Sequence, residues 1–311
     1  MSPSRRTTNT SVRQKWSPLI KWRGIAIRFH PLFSLLMLAA VATGYFVELL
    51  TLFAIVLVHE LGHVVAAKSF GWNVIRIELL PFGGVAETDD RGGSSAFQEA
   101  AVALAGPLQN VWMALFAVLM GRLGLWDADW RDYFIQANVM IGLFNLLPIL
   151  PLDGGKVMQA LVSRWLPYYR SLVLCSLVSL VLAATLGLAA LLGARSGGVH
   201  LNLLVIALFL CYTNWHGYRN ASFRFIRFLM NREPVMERLI DKGTLAQPIV
   251  IYRHRQVGDI VRLFMRDKYH LVYILNEKGR IQAVLPEQKL LYAFFQLNAP
   301  GSAVSDVFVL E

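Results

Sequence analysis

Charge is scarce in this chain. Only 16% of its 311 residues are charged against 56% hydrophobic, a balance that excludes an ordinary soluble domain and a disordered one. Acidic residues are the scarcer kind, 20 against 30 Lys and Arg. Cys175 and Cys211 both sit in apolar segments; two such cysteines make neither a disulfide framework nor a cysteine metal site, and they read as small core residues. With seven histidines and a single paired spacing, the chain lacks the many-His clusters of a membrane di-iron oxidase.

The chain is rich instead in long apolar runs. Six approach or exceed the ~20 residues that span a hydrocarbon core: Phe29 to Val47, Leu49 to Ala67, Phe97 to Met120, Phe134 to Leu152, Ser171 to Leu192 and Leu201 to Trp215. The expected fold is therefore an α-helical membrane protein with about six transmembrane helices. Arg5, Arg6, Arg13, Lys15, Lys21, Arg23 and Arg28 precede the first run without one acidic residue, which places the N-terminus in the cytoplasm. This basic leader is too long for a cleavable signal peptide. An even number of crossings returns the C-terminus to the cytoplasm, and the basic residues follow that topology: few lie in the loops expected outside (Arg122, Arg131, Arg195), more in those expected inside (Lys68, Arg76, Arg91, Lys156, Arg164 and the run from Arg219 to Lys242). The net charge of +10 reads as topology and attraction to anionic lipid, with no nucleic-acid partner, because it is spread over several loops.

The second run ends in His59-Glu60-Leu61-Gly62-His63. On a helix the two imidazoles lie one turn apart on one face and can reach one metal ion, with Glu60 beside the open coordination position. A chance match is expected about once in two hundred chains of this His and Glu content, and three ionisable groups in an apolar span cost roughly 2.5 kcal/mol or more each unless a partner such as a metal compensates them. Catalytic zinc needs three protein ligands, a water and a carboxylate base, the last placed at Glu60. Asp153, the only acidic residue between Asp132 and Glu233, reads alone as a turn residue beside two glycines; with two histidines in want of a third ligand it becomes the candidate.

Other stretches are less specific. Gly71 is a plausible stop for the His-bearing helix. Val74 to Glu87, turning at Pro81 to Gly84, fits a short β-hairpin and an ordinary loop equally; as a hairpin, its edge could pair with an extended substrate. Gly106-Pro107-Leu108-Gln109-Asn110 puts a helix breaker and two amides at membrane depth, a packing site at least. Two prolines and two glycines in Asn145 to Lys156 imply a broken helix end.

The His59–His63 segment, the Gly106–Asn110 segment and Asn145-Leu146-Leu147-Pro148-Ile149-Leu150-Pro151-Leu152-Asp153-Gly154 resemble the signatures of the site-2 protease family of intramembrane zinc metalloproteases, over roughly residues 25 to 218. The Pro81–Gly84 turn resembles that family's membrane-associated β-hairpin. The resemblance implies one Zn2+ per chain held by His59, His63 and Asp153, Glu60 as the base, Asn145 and Pro148 shaping a substrate channel, and Phe82, Gly83 and Gly84 helping to hold an unwound substrate. No PDZ insertion separates the motifs.

Four segments are expected: a basic cytosolic tail (1–24), the membrane-embedded protease domain (25–218), an interfacial linker (219–243) and a small cytosolic α/β domain (244–311). The linker's Phe223 to Met230 suits either an interfacial position or an ordinary amphipathic helix. Beyond it, a strand, helix, hairpin and helix order looks like one cystathionine-β-synthase-type (CBS) repeat. At about 65 residues it buries little core alone, which favours a homo-oligomer through this domain. The repeat's resemblance admits ATP as a ligand, with no nucleotide-binding residue assignable. The combination resembles the sporulation group of the family in endospore-forming bacteria, which implies a membrane-tethered sigma-factor precursor as substrate, membrane inhibitor proteins as partners and the mother-cell membrane around the forespore as the location. A CBS-regulated transporter or channel is the alternative, although the ionisable residues cluster at two points rather than along a path.

Overall fold

The computed structural model describes residues 20–22, 25–29, 40–80, 83–89, 94–193 and 200–308. Among these residues, three helices are long and apolar enough to cross a membrane: α1 (Phe46–Ser69), α2 (Ala96–Arg122) and α5 (Tyr168–Leu192). They coincide with three of the six apolar runs. The fourth and sixth runs also hold helices, α3 (Ala128–Asn145) and α6 (Leu201–Arg219). These fall short of the other three in apolar character, because Asp129, Arg131 and Asp132 occupy the start of α3 and Asn214 and His216 the end of α6. Most of the first run lies outside the described residues, and its leading Phe29 closes a strand instead.

Each helix end has a local cause. Gly71, at φ +78°, ends α1: its N–H bonds Lys68 O at 2.9 Å and that of Trp72 bonds Ala67 O at 3.0 Å, the stop expected of a glycine there. Ser95 caps α2 by accepting from Gln98 N, and Gln98 answers the Ser95 N–H, a reciprocal capping box. Pro107 lies inside a continuous α2, so it does not break the helix as its residue type suggested.

The Val74–Glu87 stretch is a hairpin: β3 (Asn73–Leu80) pairs antiparallel with β4 (Gly83–Asp89). It belongs to a larger sheet than the sequence suggests. β1 (Ile20–Trp22) and β2 (Ile25–Phe29) add to it in the order β1-β2-β3-β4, with β2 parallel to β3. Ile20 to Trp22, at the end of the expected basic tail, are therefore strand residues. The parallel pairing joins segments about 50 residues apart, beyond the reach of local pattern.

Past α4 (Asp153–Val162), α5 and α6 pack together and α7 (Ala221–Met230) and α8 (Glu233–Asp241) follow. The C-terminal module contains β5 (Ala246–Tyr252), α9 (Val257–Val261), β6 (Tyr269–Leu275), β7 (Ile281–Pro286), α10 (Glu287–Phe295) and α11 (Val304–Val307). β5 is parallel to β6 and β6 antiparallel to β7, the strand, helix, hairpin and helix order read from sequence. Its core is not self-contained. Phe225 and Leu229 of α7, Met236 of α8 and Leu172 at the foot of α5 are buried with Ile251, Ile260, Phe264, Ile274 and Leu290 in one cluster. That shared core answers the shortage of apolar area in so small a module.

Candidate metal centre

α1 and α2 run antiparallel at close range, and glycines make the approach possible. A Cβ on Gly62 would lie 2.7 Å from Ala105 O, and one on Gly106 would lie 2.3 Å from His63 Nε2 and 2.6 Å from His59 Nε2. Only a bare Cα lets α2 pass this close to the two imidazoles. With a rise of about 1.5 Å per residue, His63 and His59 lie about 9 and 15 Å below the Ser69 end of α1.

Asp153 arrives from the broken segment after α3. The Leu150 N–H donates to Ser179 Oγ of α5 at 2.9 Å, and Leu150 O accepts from Asn214 Nδ2 of α6 at 2.5 Å, so two other helices pin the loop that would otherwise leave backbone groups unpaired in an apolar setting. α4 then folds back on this loop: a Cβ at Gly154 would be 2.1 Å from Leu146 O, and one at Gly155 2.4 Å from the Ile149 carbonyl carbon. The two glycines that looked like a turn signal are a close-packing requirement.

The result is a triangle. His59 Nε2 and His63 Nε2 are 3.2 Å apart, and Asp153 Oδ2 is 3.2 Å from the first and 3.1 Å from the second. All three residues are buried. Each imidazole uses its other nitrogen elsewhere: His63 Nδ1 faces Val102 O at 2.7 Å and His59 Nδ1 faces Asn110 Oδ1 at 2.5 Å. Both partners are oxygen acceptors, the second oriented by Asn110 Nδ2 donating to Asn138 Oδ1 at 3.2 Å and Asn138 Nδ2 to Phe134 O at 2.9 Å. Nδ1 therefore carries the hydrogen in both rings, and both Nε2 lone pairs point at the same place as a carboxylate oxygen. Three acceptors that converge with no donor between them suit a cation. Tetrahedral zinc with bonds of about 2.0 Å sets its ligand atoms about 3.3 Å apart, so the donor set fits the ion by type and by spacing.

Lys156 Nζ sits 3.0 Å from Asp153 Oδ1, the oxygen turned away from the triangle. Glu60 is half-buried, beside His63, His59, Lys156 and Asp153. Asn145 is half-buried with Nδ2 donating to Ile141 O at 3.0 Å, while Pro148 is exposed in the broken segment. Gly83 and Gly84 pair with Leu80 and Leu79 where β4 begins, and Phe82 lies outside the described residues. Both hairpin strands touch α1, and β4 is one of the two outer strands of the described sheet.

Neither Asn110 nor Lys156 is assigned a role in the chemistry by the sequence alone. Asn110 had a readable signal. Ala103, Gly106, Pro107 and Asn110 share the buried face of α2, and one amide among small residues on such a face must have a buried partner.

A cation-seeking triangle with an adjacent carboxylate, set within long apolar helices, defines a class: a metal-dependent hydrolase of the membrane. Comparison with known proteins narrows it. Residues 47–126 and 129–186 match the profile of peptidase family M50. The chain is 30% identical over 295 residues to stage IV sporulation protein FB of Bacillus subtilis, covering 95% of this chain and 99% of that one. It is 29% identical to a zinc metalloprotease of Methanocaldococcus jannaschii over 62% of this chain and 58% of that one. The solved structure of the site-2 protease from Methanocaldococcus jannaschii superposes with a TM-score of 0.51 at 27% identity, over 64% of this chain and 94% of that chain. The chain belongs to peptidase family M50, as an intramembrane zinc metalloprotease of the site-2 type. The transporter alternative has no place in that family.

Proposed function

We propose that this protein hydrolyses a peptide bond of a membrane-tethered protein substrate within or near the membrane, with His59, His63 and Asp153 holding zinc and Glu60 as the proton-transfer group. The observation that supports it most is the convergence of both Nε2 atoms and Asp153 Oδ2 within 3.2 Å of one another. Held by these three residues, zinc would supply a Lewis acid for the scissile carbonyl and for the attacking water. The chain's own residues do the rest. Glu60 takes a proton from the attacking water and delivers it to the departing amine nitrogen. Asn110 and Val102 hold the imidazoles in the tautomer that keeps Nε2 bare, and Lys156 turns Asp153 so that Oδ2 faces the site.

A helical substrate hides its scissile amide in its own hydrogen bonds. In this reading the segment is drawn out and paired along the hairpin, with Phe82, Gly83 and Gly84 helping to hold it and Asn145 and Pro148 shaping its channel; the contact of β4 with α1 favours this. Six spans, cytoplasmic termini and the domain limits 1–24, 25–218, 219–243 and 244–311 belong to the same reading, supported by the distribution of basic residues. So does a CBS-type C-terminal module that binds ATP and joins copies of the chain.

The similarity to stage IV sporulation protein FB over nearly the whole of both chains supports a narrower substrate, the pro-sequence of a sporulation sigma factor cut in the mother-cell membrane, with membrane inhibitor proteins as partners. Co-expression with a membrane-tethered sigma-factor precursor, followed by mass spectrometry of the product ends, tests this. A cut near or in the membrane that disappears in Glu60→Gln is expected. No Glu60-dependent cut by folded, zinc-loaded protein would refute the substrate.

A further inference from the structure

The loop Phe264 to Lys268 of the C-terminal module, just before β6, lies against the first turn of α2. Asp267 Oδ2 accepts from Ala96 N, the first backbone N–H of α2, at 3.0 Å. Arg266 takes both oxygens of Glu99, with Nη1 to Oε2 at 2.6 Å and Nη2 to Oε1 at 2.5 Å, and also donates to Ser94 O at 2.8 Å and Ser94 Oγ at 2.9 Å. Arg266 is 7% exposed and Glu99 half-buried, so the arginine side of this bidentate pair is sheltered from the solvent that weakens surface ion pairs.

The loop itself is held rigid from both sides. Tyr168 N, at the first residue of α5, donates to Phe264 O at 2.9 Å. Behind it Arg232, 1% exposed, donates to Met265 O at 3.0 Å, Arg266 O at 3.2 Å and Lys268 O, and pairs with Glu287. A five-residue loop with four of its carbonyls taken by two other elements has little freedom of its own.

What it grips leads to the metal site. A helix start has N–H groups without intrahelical partners and frays first; here a residue from the other end of the chain caps one of them. Glu99 lies three residues, close to one turn, before Val102, whose carbonyl faces His63 Nδ1 at 2.7 Å. Gly106, one turn further, abuts both imidazoles. Slippage or fraying at Ala96 to Glu99 would loosen the Val102 carbonyl, which keeps the hydrogen on His63 Nδ1 and its Nε2 lone pair on the site.

We infer that Arg266, with Asp267, is a positioning residue for the metal centre: the C-terminal module clamps the start of α2 and thereby fixes the Val102 carbonyl that orients His63. The inference rests on the zinc reading of the site. A clamp that merely tethers the module would leave zinc binding alone, whereas a positioning clamp changes it.

Zinc affinity of the full-length protein in nanodiscs, measured by competition with a chromophoric chelator, separates the two. Arg266→Gln is expected to bind zinc about tenfold more weakly than the parent, the size of effect seen when a group that orients a metal ligand is removed. Glu99→Gln should lose a similar factor, the double variant no more than either single because both remove one clamp, and Arg266→Lys should recover only part of the affinity, because an ammonium keeps the charge and not the bidentate geometry. Asp267→Asn, which keeps the ion pair and weakens only the cap, stands in if Arg266→Gln does not fold, and should lose affinity to a smaller degree. Affinity within twofold of the parent in folded Arg266→Gln, or additive losses in the double variant, would overturn the inference while leaving the zinc reading intact. Failure of the parent itself to bind zinc would take down both.

Discussion

Gly106→Ala adds one methyl group at the point where the site has no room for it. The new Cβ would stand 2.3 Å from His63 Nε2, 2.5 Å from His63 Cε1 and 2.6 Å from His59 Nε2, while unstrained contacts of this kind lie near 3.5 Å. The deficit is about 1 Å on each imidazole. It falls on both sides at once, so the rings must swing away or α2 must retreat from α1, against the close fit at Gly62. A metal site tolerates about 0.2 Å in its bond lengths, and a 1 Å spread of the 3.2 Å triangle exceeds that several times over. We expect zinc affinity to fall at least a hundredfold, about 2.8 kcal/mol, with the helices still formed. The assay is chelator competition on purified protein, with circular dichroism as the check on folding. Gly187→Ala is the control: its Cβ would meet Ala207 Cβ at 3.5 Å, an ordinary contact, and zinc affinity should not change. Folded Gly106→Ala protein that binds zinc within tenfold of the parent would refute the geometry.

Asn110→Leu removes the acceptor that keeps the hydrogen on His59 Nδ1, and should weaken zinc binding about 10- to 100-fold; unchanged affinity would mean that another group sets the tautomer. Glu287→Ala leaves Arg232 buried without its carboxylate and should destabilise the C-terminal module by about 3–5 kcal/mol; limited proteolysis under denaturant titration reads this, and a loss below about 1 kcal/mol, the size of an exposed pair, would contradict it. The same module should weaken in acid. Burial holds the His270 imidazole below its ordinary pKa, Arg232 and Lys268 lower it further, and the hydrogen bond to Glu287 offsets part of this. The unfolded chain therefore binds the proton more readily, near pH 6.5, so the stability contribution is full above that value and erodes as pH falls below it. His270→Gln should flatten that slope between about pH 7 and 5; parallel slopes in the two proteins would remove His270 as its source.

Much of the site was legible because its chemistry is concentrated in few residues. In a chain this poor in charge, His59, Glu60, His63 and Asp153 stand out, and helical periodicity puts the histidines on one face. The apolar runs located α1, α2 and α5 within a few residues, and the partial alternation from Val74 to Glu87 left hairpin and loop open until β3 and β4 decided it. What was not legible depends on distant partners. β1 and β2 acquire their meaning only by pairing beside β3, and a short basic segment carries no local sign of that. Pro107 reads as a breaker by its missing N–H, yet packing against α1 and α4 keeps α2 continuous around it. Asn110, Lys156 and Arg266 are ordinary polar residues until His59, Asp153 and Glu99 are placed opposite them.

Whether His59, His63 and Asp153 together hold one zinc ion is read by X-ray absorption spectroscopy with metal analysis of the purified full-length protein. One zinc per chain is expected, with a first coordination sphere of nitrogen and oxygen at about 2.0–2.1 Å and no sulfur, lost in Asp153→Ala and retained in the inactive Glu60→Gln. Full zinc occupancy in Asp153→Ala, or sulfur in the coordination sphere, would contradict it.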